Sequence, residues 1–429
     1  MSNSGVFCNT PWYELHIYWD GSLGICCQEA HKLYTGTSYN IATMSIAEWF
    51  NSEPVRDFRQ RILKDTRLSE CSRCYTEQDS GGVSRRQRAN QKSVIFTQAF
   101  EHSFDQSPGR KHFDNSGVTD TQPIDIHIDL GNFCNLACKM CSAQASSRIA
   151  AQEVKWGITS SQQFVGSDWT RNNTVWNNFK QQLLNIPKLN NLHFMGGETL
   201  LTDRFEDLVD TLIEHRRFET CLSFVTNGTV FRPDLLTKLT QFRRVGIEVS
   251  VETVSDHNAY QRQGTDTAQV LDNIDLYLQT CNNTSITVCL RPAISALTIG
   301  YFDGLLMYAL DRGITVKSLQ VNTPRFLDAA ILPIMVKQQY IVQYQKILDQ
   351  LSDVDVGKDY NTSDPNNHKL VVKTQANMCI NMLSRPEPHD VDTLQQQFVD
   401  HCKKWDKVYN HNARALYPEL VELWDQYGY

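Results

Sequence analysis

The sequence predicts an α/β fold: an open partial (β/α)6 TIM-like barrel, preceded by a small Cys-rich α+β module and followed by a helical C-terminal region. Six strand-like runs, at 124–130, 191–195, 222–226, 246–252, 285–291 and 315–321, alternate with runs of helical period. That alternation is the pattern of a parallel sheet crossed by helices. Cys8, Cys26, Cys27, Cys71 and Cys74 crowd the start of the chain, and near its end Phe398, Cys402, Trp405 and Tyr409 recur at helical spacing. The expected divisions are 1–80, a connecting segment 81–122, the barrel 123–351, and a polar linker with helices over 352–429.

In the first module, Trp12–Trp19, the Asp20-Gly21 turn and Leu23–Cys27 read as a β-hairpin that brings Cys8 near Cys26. Ser45 and Glu48 form a capping-box pattern opening a helix, and Pro54 suits the first turn of a second helix bearing Val55, Phe58 and Ile62. That helix leads to Cys71 and Cys74. Cys8, Cys26, Cys71 and Cys74 suffice to saturate a 4Fe-4S cluster, with Cys27 as an alternate to Cys26. A ribbon-type zinc site is the competing use of the same thiols. The polar stretch 78–122 reads as a surface connection, with Arg85, Arg86, Arg88 and Lys92 on a solvated face.

Within the barrel, Thr202 or Asp203 caps a helix with Phe205, Leu208, Val209 and Leu212 on one side, Pro233 starts another, Val270, Ile274 and Tyr277 mark a third, and a further helix ends near Gly313. The insertion 142–190, with Trp156, Trp169 and Trp176, is long enough to form a lid. Along the first strand Ile124, Ile126, Ile128 and Leu130 share one face and Asp125, His127 and Asp129 the other; Ile247, Val249 and Val251 oppose Glu248, Ser250 and Glu252 in the same way. A closed barrel core is packed with aliphatic side chains. Charge on the inner face therefore implies a wet, functional lumen. Asp129, Ser250, Glu252, Arg291 and Asn322, near the C-terminal ends of strands, are placed to touch a cofactor or substrate, whereas His127 and His193 read equally well as hydrogen-bonded structural histidines.

The most informative stretch follows the first strand. Cys134, Cys138 and Cys141, spaced Cys-x3-Cys-x2-Cys, can hold three corners of a cubic iron–sulfur cluster and leave one iron open to a small molecule. A zinc knuckle would want a fourth ligand close by. One βα unit later the second strand ends in Gly196-Gly197-Glu198, where glycines admit close backbone approach and the carboxylate can accept from an ammonium group.

Together these two motifs resemble the radical S-adenosylmethionine (radical SAM) superfamily, with Met140 where members usually carry an aromatic residue. Cys8, the Gly21-x4-Cys26 spacing, Cys71-x2-Cys74, Glu77 and Ser84–Arg86 resemble the twitch module, the short relative of the SPASM domain, here placed ahead of the barrel. The resemblance implies the same barrel, one 4Fe-4S cluster that binds S-adenosylmethionine, and an auxiliary cluster that relays electrons. It further implies cofactor contacts from Gly196, Gly197, Glu198, the Thr226-Asn227 turn and Ser250, with Glu252 standing where many members have Asp. By that resemblance the expected activity is reductive cleavage of S-adenosylmethionine to a 5'-deoxyadenosyl radical that abstracts a substrate hydrogen. The expected partners are a one-electron reductant such as flavodoxin or ferredoxin and a peptide or protein substrate. A small metabolite is the alternative substrate, and a zinc-binding adaptor the alternative from outside enzymology. No general acid or base is assigned.

Composition agrees with these expectations. With 41 basic and 48 acidic residues the net charge is −7, which supplies no broad basic surface for nucleic acid. Residues 1–7 lack a basic, apolar leader and no apolar run reaches bilayer length, so the expectation is a cytoplasmic protein without a membrane partner. Eight of the thirteen cysteines fall in the clusters named above, and in a large chain without a leader clustered thiols bind metal more often than they form disulfides.

Overall fold

The computed structural model describes residues 6–27, 39–64, 66–79, 84–91, 113–352 and 368–429. Residues 353–367, nearly all of the polar stretch expected at 352–368, and Lys92 lie outside them.

The strands are β1 (Glu14–Ile17), β2 (Leu23–Gly24), β3 (Asp125–Asp129), β4 (Ala137–Cys138), β5 (Asn191–Met195), β6 (Cys221–Thr226), β7 (Val245–Val249), β8 (Arg262–Gln263), β9 (Ile286–Leu290), β10 (Ala293–Ile294), β11 (Thr315–Val316) and β12 (Leu319–Gln320). The main sheet runs β11-β9-β7-β6-β5-β3-β1-β2, parallel throughout except for the β1/β2 hairpin. It is the open α/β sheet expected of a partial barrel, with an addition the sequence concealed. Strand β1 pairs with β3 in parallel, Glu14 opposite Asp125 and His16 opposite His127, so the N-terminal module continues the barrel sheet.

Local signals set the helices. The first pair, α1 (Ile46–Phe50) and α2 (Glu53–Leu63), open on the Ser45/Glu48 capping box and on Pro54, and bury Trp49, Phe50, Val55, Phe58 and Ile62. Next come α3 (Ser72–Asp79) and α4 (Arg85–Gln91). The latter corrects the expectation of a solvated basic face: Arg85 pairs with the buried Glu14, and Arg86 is buried, donating to the Phe7 carbonyl at 2.8 Å and to Gln78 Oε1 at 2.6 Å. Of the three described cations of this cluster, Arg88 remains exposed, near Glu77.

Between β3 and β5 lie α5 (Ser147–Lys155) and α6 (Asn173–Leu184). The stretch is not a lid. Trp176, Phe179 and Leu183 of α6 are fully buried, and Trp169 lies in the same core with its Nε1 donating to the Asp129 carbonyl at 3.0 Å. The barrel helices are α7 (Asp203–Glu214), capped by Thr202, α8 (Pro233–Leu239), α9 (Asp256–Gln261), α10 (Thr267–Cys281) and α11 (Phe302–Arg312), closed by Gly313 at φ 63°; all but the short α9, not expected from the sequence, follow the predicted periods.

Two strands end sooner than expected. The fourth stops at Val249, so Ser250 and Glu252 sit in the loop above it. The sixth splits into β11 and β12. Its neighbour is interrupted at Pro292, which has no N–H to donate, and pairing resumes one step on, between β10 and β12.

The C-terminal region consists mainly of α12 (Ile334–Gln350), α13 (His368–Leu383) and α14 (Val391–Tyr409). Cys402 is wholly buried on the apolar stripe of α14, and Cys221, Cys281, Cys289 and Cys379 are likewise separate buried thiols. No described helix is long and apolar enough to cross a membrane.

Candidate functional site

Backbone contacts at its base fold the cysteine loop back on itself. Asn132, almost fully buried, donates from Nδ2 to the carbonyls of Ala143 (3.2 Å) and Phe164 (2.7 Å), while Ser147 N reaches the Asn132 carbonyl at 2.7 Å. Ser146 Oγ donates to the Leu136 carbonyl at 2.8 Å, and Cys134 N to Ser147 Oγ at 3.3 Å. On its other side the loop is stitched to the barrel, because β4 pairs with β8 and Lys139 N donates to the Gln261 carbonyl at 2.8 Å.

Cys138 is buried and Cys134 and Cys141 are half-buried. Burial raises all three thiols above the ordinary range, Cys141 to about 11, and the charges of Cys134 and Cys141 add to the rise at Cys138. Such thiols stay protonated unless a metal or a cation offsets their charge. One cation is at hand. Arg262 Nη1 lies 3.8 Å from Cys138 Sγ, and Glu252 fixes the guanidinium through Nε–Oε2 at 2.5 Å and Nη2–Oε1 at 2.7 Å. Glu252, expected as a cofactor or substrate contact, is wholly buried, its carboxylate bonded to Arg262 and to the Ala293 N–H at 3.1 Å. Arg262 was missed because no motif surrounds it; its proximity to Cys138 arises from the β4/β8 pairing.

The Gly-Gly-Glu turn grips the same loop. Gly196 and Gly197 hold φ of 81° and 53°, and a Cβ would stand 2.6 Å from the Gly131 carbonyl oxygen at the first and 2.1 Å from that of Phe133 at the second. Glycine is required at both positions. Gly197→Ala is expected to displace the loop and reduce cluster retention several-fold on gel filtration, with the overall far-ultraviolet circular dichroism unchanged.

Glu198 N donates to the Phe133 carbonyl at 2.8 Å, and its side chain accepts from Thr226 Oγ1 (2.7 Å), Asn227 N (2.6 Å) and Leu200 N (3.1 Å). Burial raises its carboxyl in spite of these bonds. Three of the roughly four acceptor positions of a carboxylate are thereby used. Asn227 Nδ2 then donates to Asn135 Oδ1 at 2.8 Å, and Ser250 N to the Thr226 carbonyl at 2.8 Å. Gly196, Gly197, Glu198, Thr226, Asn227 and Ser250 are thus brought together around the loop of Cys134, Cys138 and Cys141.

Arg291 and Asn322 are not part of that group. The Arg291 guanidinium is engaged by Glu248, which Lys317 Nζ also approaches at 3.2 Å, so it neutralises a lumen carboxylate. Asn322 lies beyond β12, half-buried, and among the described residues no hydrogen bond ties it to the site.

The lumen is polar, as the alternation predicted, and a row of histidines crosses it. His16, His127 and His193 stand in register on adjacent strands, with ring centroids 6.2 Å and 4.8 Å apart. His193 Nδ1 lies 2.8 Å from Ser223 Oγ, His127 Nε2 lies 3.1 Å from Arg85 Nη2, and His16 Nε2 lies 3.2 Å from Asp129 Oδ1. Glu14 and His16 alternate with Leu15 and Ile17, the same signal that exposed Asp125 and His127; it was legible but was assigned to a separate hairpin.

Cys8, Cys26, Cys71 and Cys74 line one cavity with Ile25, Phe58, Ile62, Arg85 and Arg86. Cys27 does not line it. Its N–H approaches Glu14 Oε1 at 3.4 Å, and its thiol is held well below the ordinary range by the hydrogen bond from Cys26 foremost and then by Arg85 and His127. The four-thiol cavity fits a closed cluster ligand set, and the three-thiol loop beneath the glycine turn fits an open one. Cys26→Ser should therefore remove about half of the iron from reconstituted protein, and Cys27→Ser should leave it unchanged by iron assay.

Comparisons with known proteins match two parts of the chain. Residues 128–293 match the profile of the Radical SAM superfamily, and residues 8–75 that of SPASM, an iron–sulfur cluster-binding domain. No curated protein matches in sequence. Among solved structures, anSMEcpe with bound AdoMet and a Cp18Cys peptide is similar at 14% identity and a TM-score of 0.38, over 53% of this chain and 60% of that one. Streptococcus suis SuiB bound to S-adenosylmethionine is similar at 11% identity and a TM-score of 0.34, over 54% of this chain and 45% of that one. The chain thus spans less than two thirds of either protein.

Proposed function

The chain belongs to the radical SAM superfamily and carries a SPASM domain, and from this premise we propose that it cleaves S-adenosylmethionine reductively and uses the 5'-deoxyadenosyl radical to abstract a hydrogen atom from a peptide or protein. The observation that supports this reading best is the open three-thiol loop closed against Gly196, Gly197 and Glu198. When bound on Cys134, Cys138 and Cys141, a 4Fe-4S cluster supplies the electron that breaks the sulfonium bond of S-adenosylmethionine.

The chain's own residues supply position and electrostatics. Gly196 and Gly197 remove the side chains that would otherwise push the loop away. Glu198 fixes the Thr226-Asn227 turn, which in turn holds Asn135 inside the loop. Arg262 offsets negative charge beside Cys138, and Glu252 keeps it there. The polar lumen formed by His127, His193, Asp129 and Glu248 provides a hydrogen-bonding surface for a substrate backbone. Cys8, Cys26, Cys71 and Cys74 would hold an auxiliary cluster that relays electrons. The SPASM domain is the reason for preferring a peptidyl substrate over a small metabolite.

The test is anaerobic reconstitution followed by iron, sulfide and zinc analysis, then reduction with dithionite in the presence of S-adenosylmethionine. About eight irons per chain and release of 5'-deoxyadenosine are expected. Deuterium transfer from labelled peptides into deoxyadenosine would identify the substrate class. Stoichiometric zinc with no deoxyadenosine would replace the enzyme by a zinc-binding adaptor.

A further inference from the structure

The C-terminal helices fall outside both matched segments, yet α14 packs on the cysteine loop. Trp405 shares a small core with Ala137 and Ala143 of that loop and with Ile149 and Ala150 of α5, against which Cys141 also packs. Beneath this contact lies a lysine. Lys139, directly after Cys138 in the chain, is only 2% exposed. Its Nζ donates to the Tyr260 carbonyl at 2.5 Å, and it lies 3.6 Å from the Tyr260 ring centroid and 5.4 Å from that of Trp405. A carbonyl and two aromatic faces suit an ammonium group, but none of them supplies a full opposite charge.

Taking an ammonium out of water is costly unless an opposite charge offsets it. Among the described residues no carboxylate comes within ion-pair distance of Lys139 Nζ. Asp406 of α14 acts on it from farther off, because its own carboxylate accepts from the Tyr260 hydroxyl at 2.8 Å, the Ala413 N–H at 2.6 Å and the Tyr429 hydroxyl. Cys402 is also near, but burial raises its thiol to about 12, so it brings no charge. Arg262, which faces the Cys138 thiol, has Glu252 as a bidentate partner; Lys139 has no such partner. The negative charge that suits it is that of three thiolates holding a 4Fe-4S cluster, and reduction adds one unit more.

We propose that α14 and Tyr260 form a dry socket that holds the Lys139 ammonium against the cysteine loop, and that this charge raises the reduction potential of the cluster on Cys134, Cys138 and Cys141. This rests on the radical reading above. The C-terminal region then has an electronic role: it keeps water from screening a loop cation that no carboxylate neutralises.

The test is a titration of the full reconstituted chain with dithionite, read by electron paramagnetic resonance on the signal that S-adenosylmethionine perturbs, which marks the loop cluster. Lys139→Met keeps the length of the side chain and removes the charge. It should lower the midpoint by about 59 mV, a ten-fold loss in the one-electron reduction equilibrium. Lys139→Gln, neutral but polar, should give the same fall, and Asp406→Asn, which removes an anion from the same socket, should move the midpoint the other way. Lys155→Met, at an exposed position on α5, should leave it in place. Opposite shifts from opposite charge changes do not come from a merely structural disturbance, and agreement of the two neutral lysine variants carries the test if Asp406→Asn does not fold. The metal-free Lys139→Met chain should melt at the wild-type temperature, since relief from burying a charge offsets the lost bond to the Tyr260 carbonyl. An unchanged midpoint in Lys139→Met, shifts of one sign in Lys139→Met and Asp406→Asn, loss of the loop cluster from Lys139→Met, or a markedly lower melting temperature of its metal-free chain would each overturn the proposal alone. A wild type whose spectrum does not respond to S-adenosylmethionine would overturn the radical reading, and this inference with it.

Discussion

Cys138→Ala should abolish 5'-deoxyadenosine formation while leaving about four irons on the protein. Of the three loop thiols it is the most enclosed, the one that Arg262 faces, and the one anchored by the β4/β8 pairing. Removing it leaves two ligands, too few to retain a cubic cluster on this loop, whereas Cys8, Cys26, Cys71 and Cys74 are untouched in their own cavity. The fold should persist, since the alanine has only a small thiol's volume to leave empty and the loop is closed by Asn132, Ser146 and Ser147. Iron analysis with S-adenosylmethionine turnover checks both halves. Residual turnover near wild-type level would remove Cys138 from the cluster, and loss of all iron would mean that the two sites assemble together.

Arg262→Leu should cost about 3–5 kcal/mol of stability, the range for breaking a buried ion pair from one side. Glu252 is wholly buried and its remaining acceptor contact is the Ala293 N–H, so an ionised carboxylate would be left without a counter-charge. The double variant Arg262→Leu/Glu252→Leu should recover most of that loss, since no uncompensated charge remains. It should not recover the electrostatic role. Without a guanidinium beside Cys138 Sγ, a cluster there is harder to reduce, and a lower midpoint potential is expected by redox titration monitored by electron paramagnetic resonance. Chemical denaturation of the two variants reads the first effect and the titration the second. If the double variant is as unstable as the single one, packing rather than charge is what Arg262 supplies.

Local pattern carried most of the fold. The Ser45/Glu48 box, Thr202 and Gly313 delimit their helices as written because capping is decided within a turn, and the strand alternation put Asp125, His127 and Glu248 in the lumen because side-chain period follows backbone pleat. What could not be read depends on which strand lies beside which. Arg262 reaches Cys138 only through β4/β8, and Glu14 reaches His127 and Arg85 only because β1 joins β3. The same limit hid the ion-pair partners of Glu252 and Arg291. Their positions near the C-terminal strand ends were legible, but the buried opposite charges that claim them, Arg262 and Glu248, come from elsewhere in the chain.

The parallel seam between β1 and β3 bears on the order in which this chain is made. Strand β1 leaves the ribosome long before its partner, and while it waits it is an unpaired edge carrying Leu15 and Ile17. Arg85 in the wall of the cavity of Cys8, Cys26, Cys71 and Cys74 pairs with Glu14 of that strand, so that wall becomes fixed only after the first barrel strand has been synthesised. Loading of the auxiliary cysteines should accordingly follow barrel folding in time, although their codons come first.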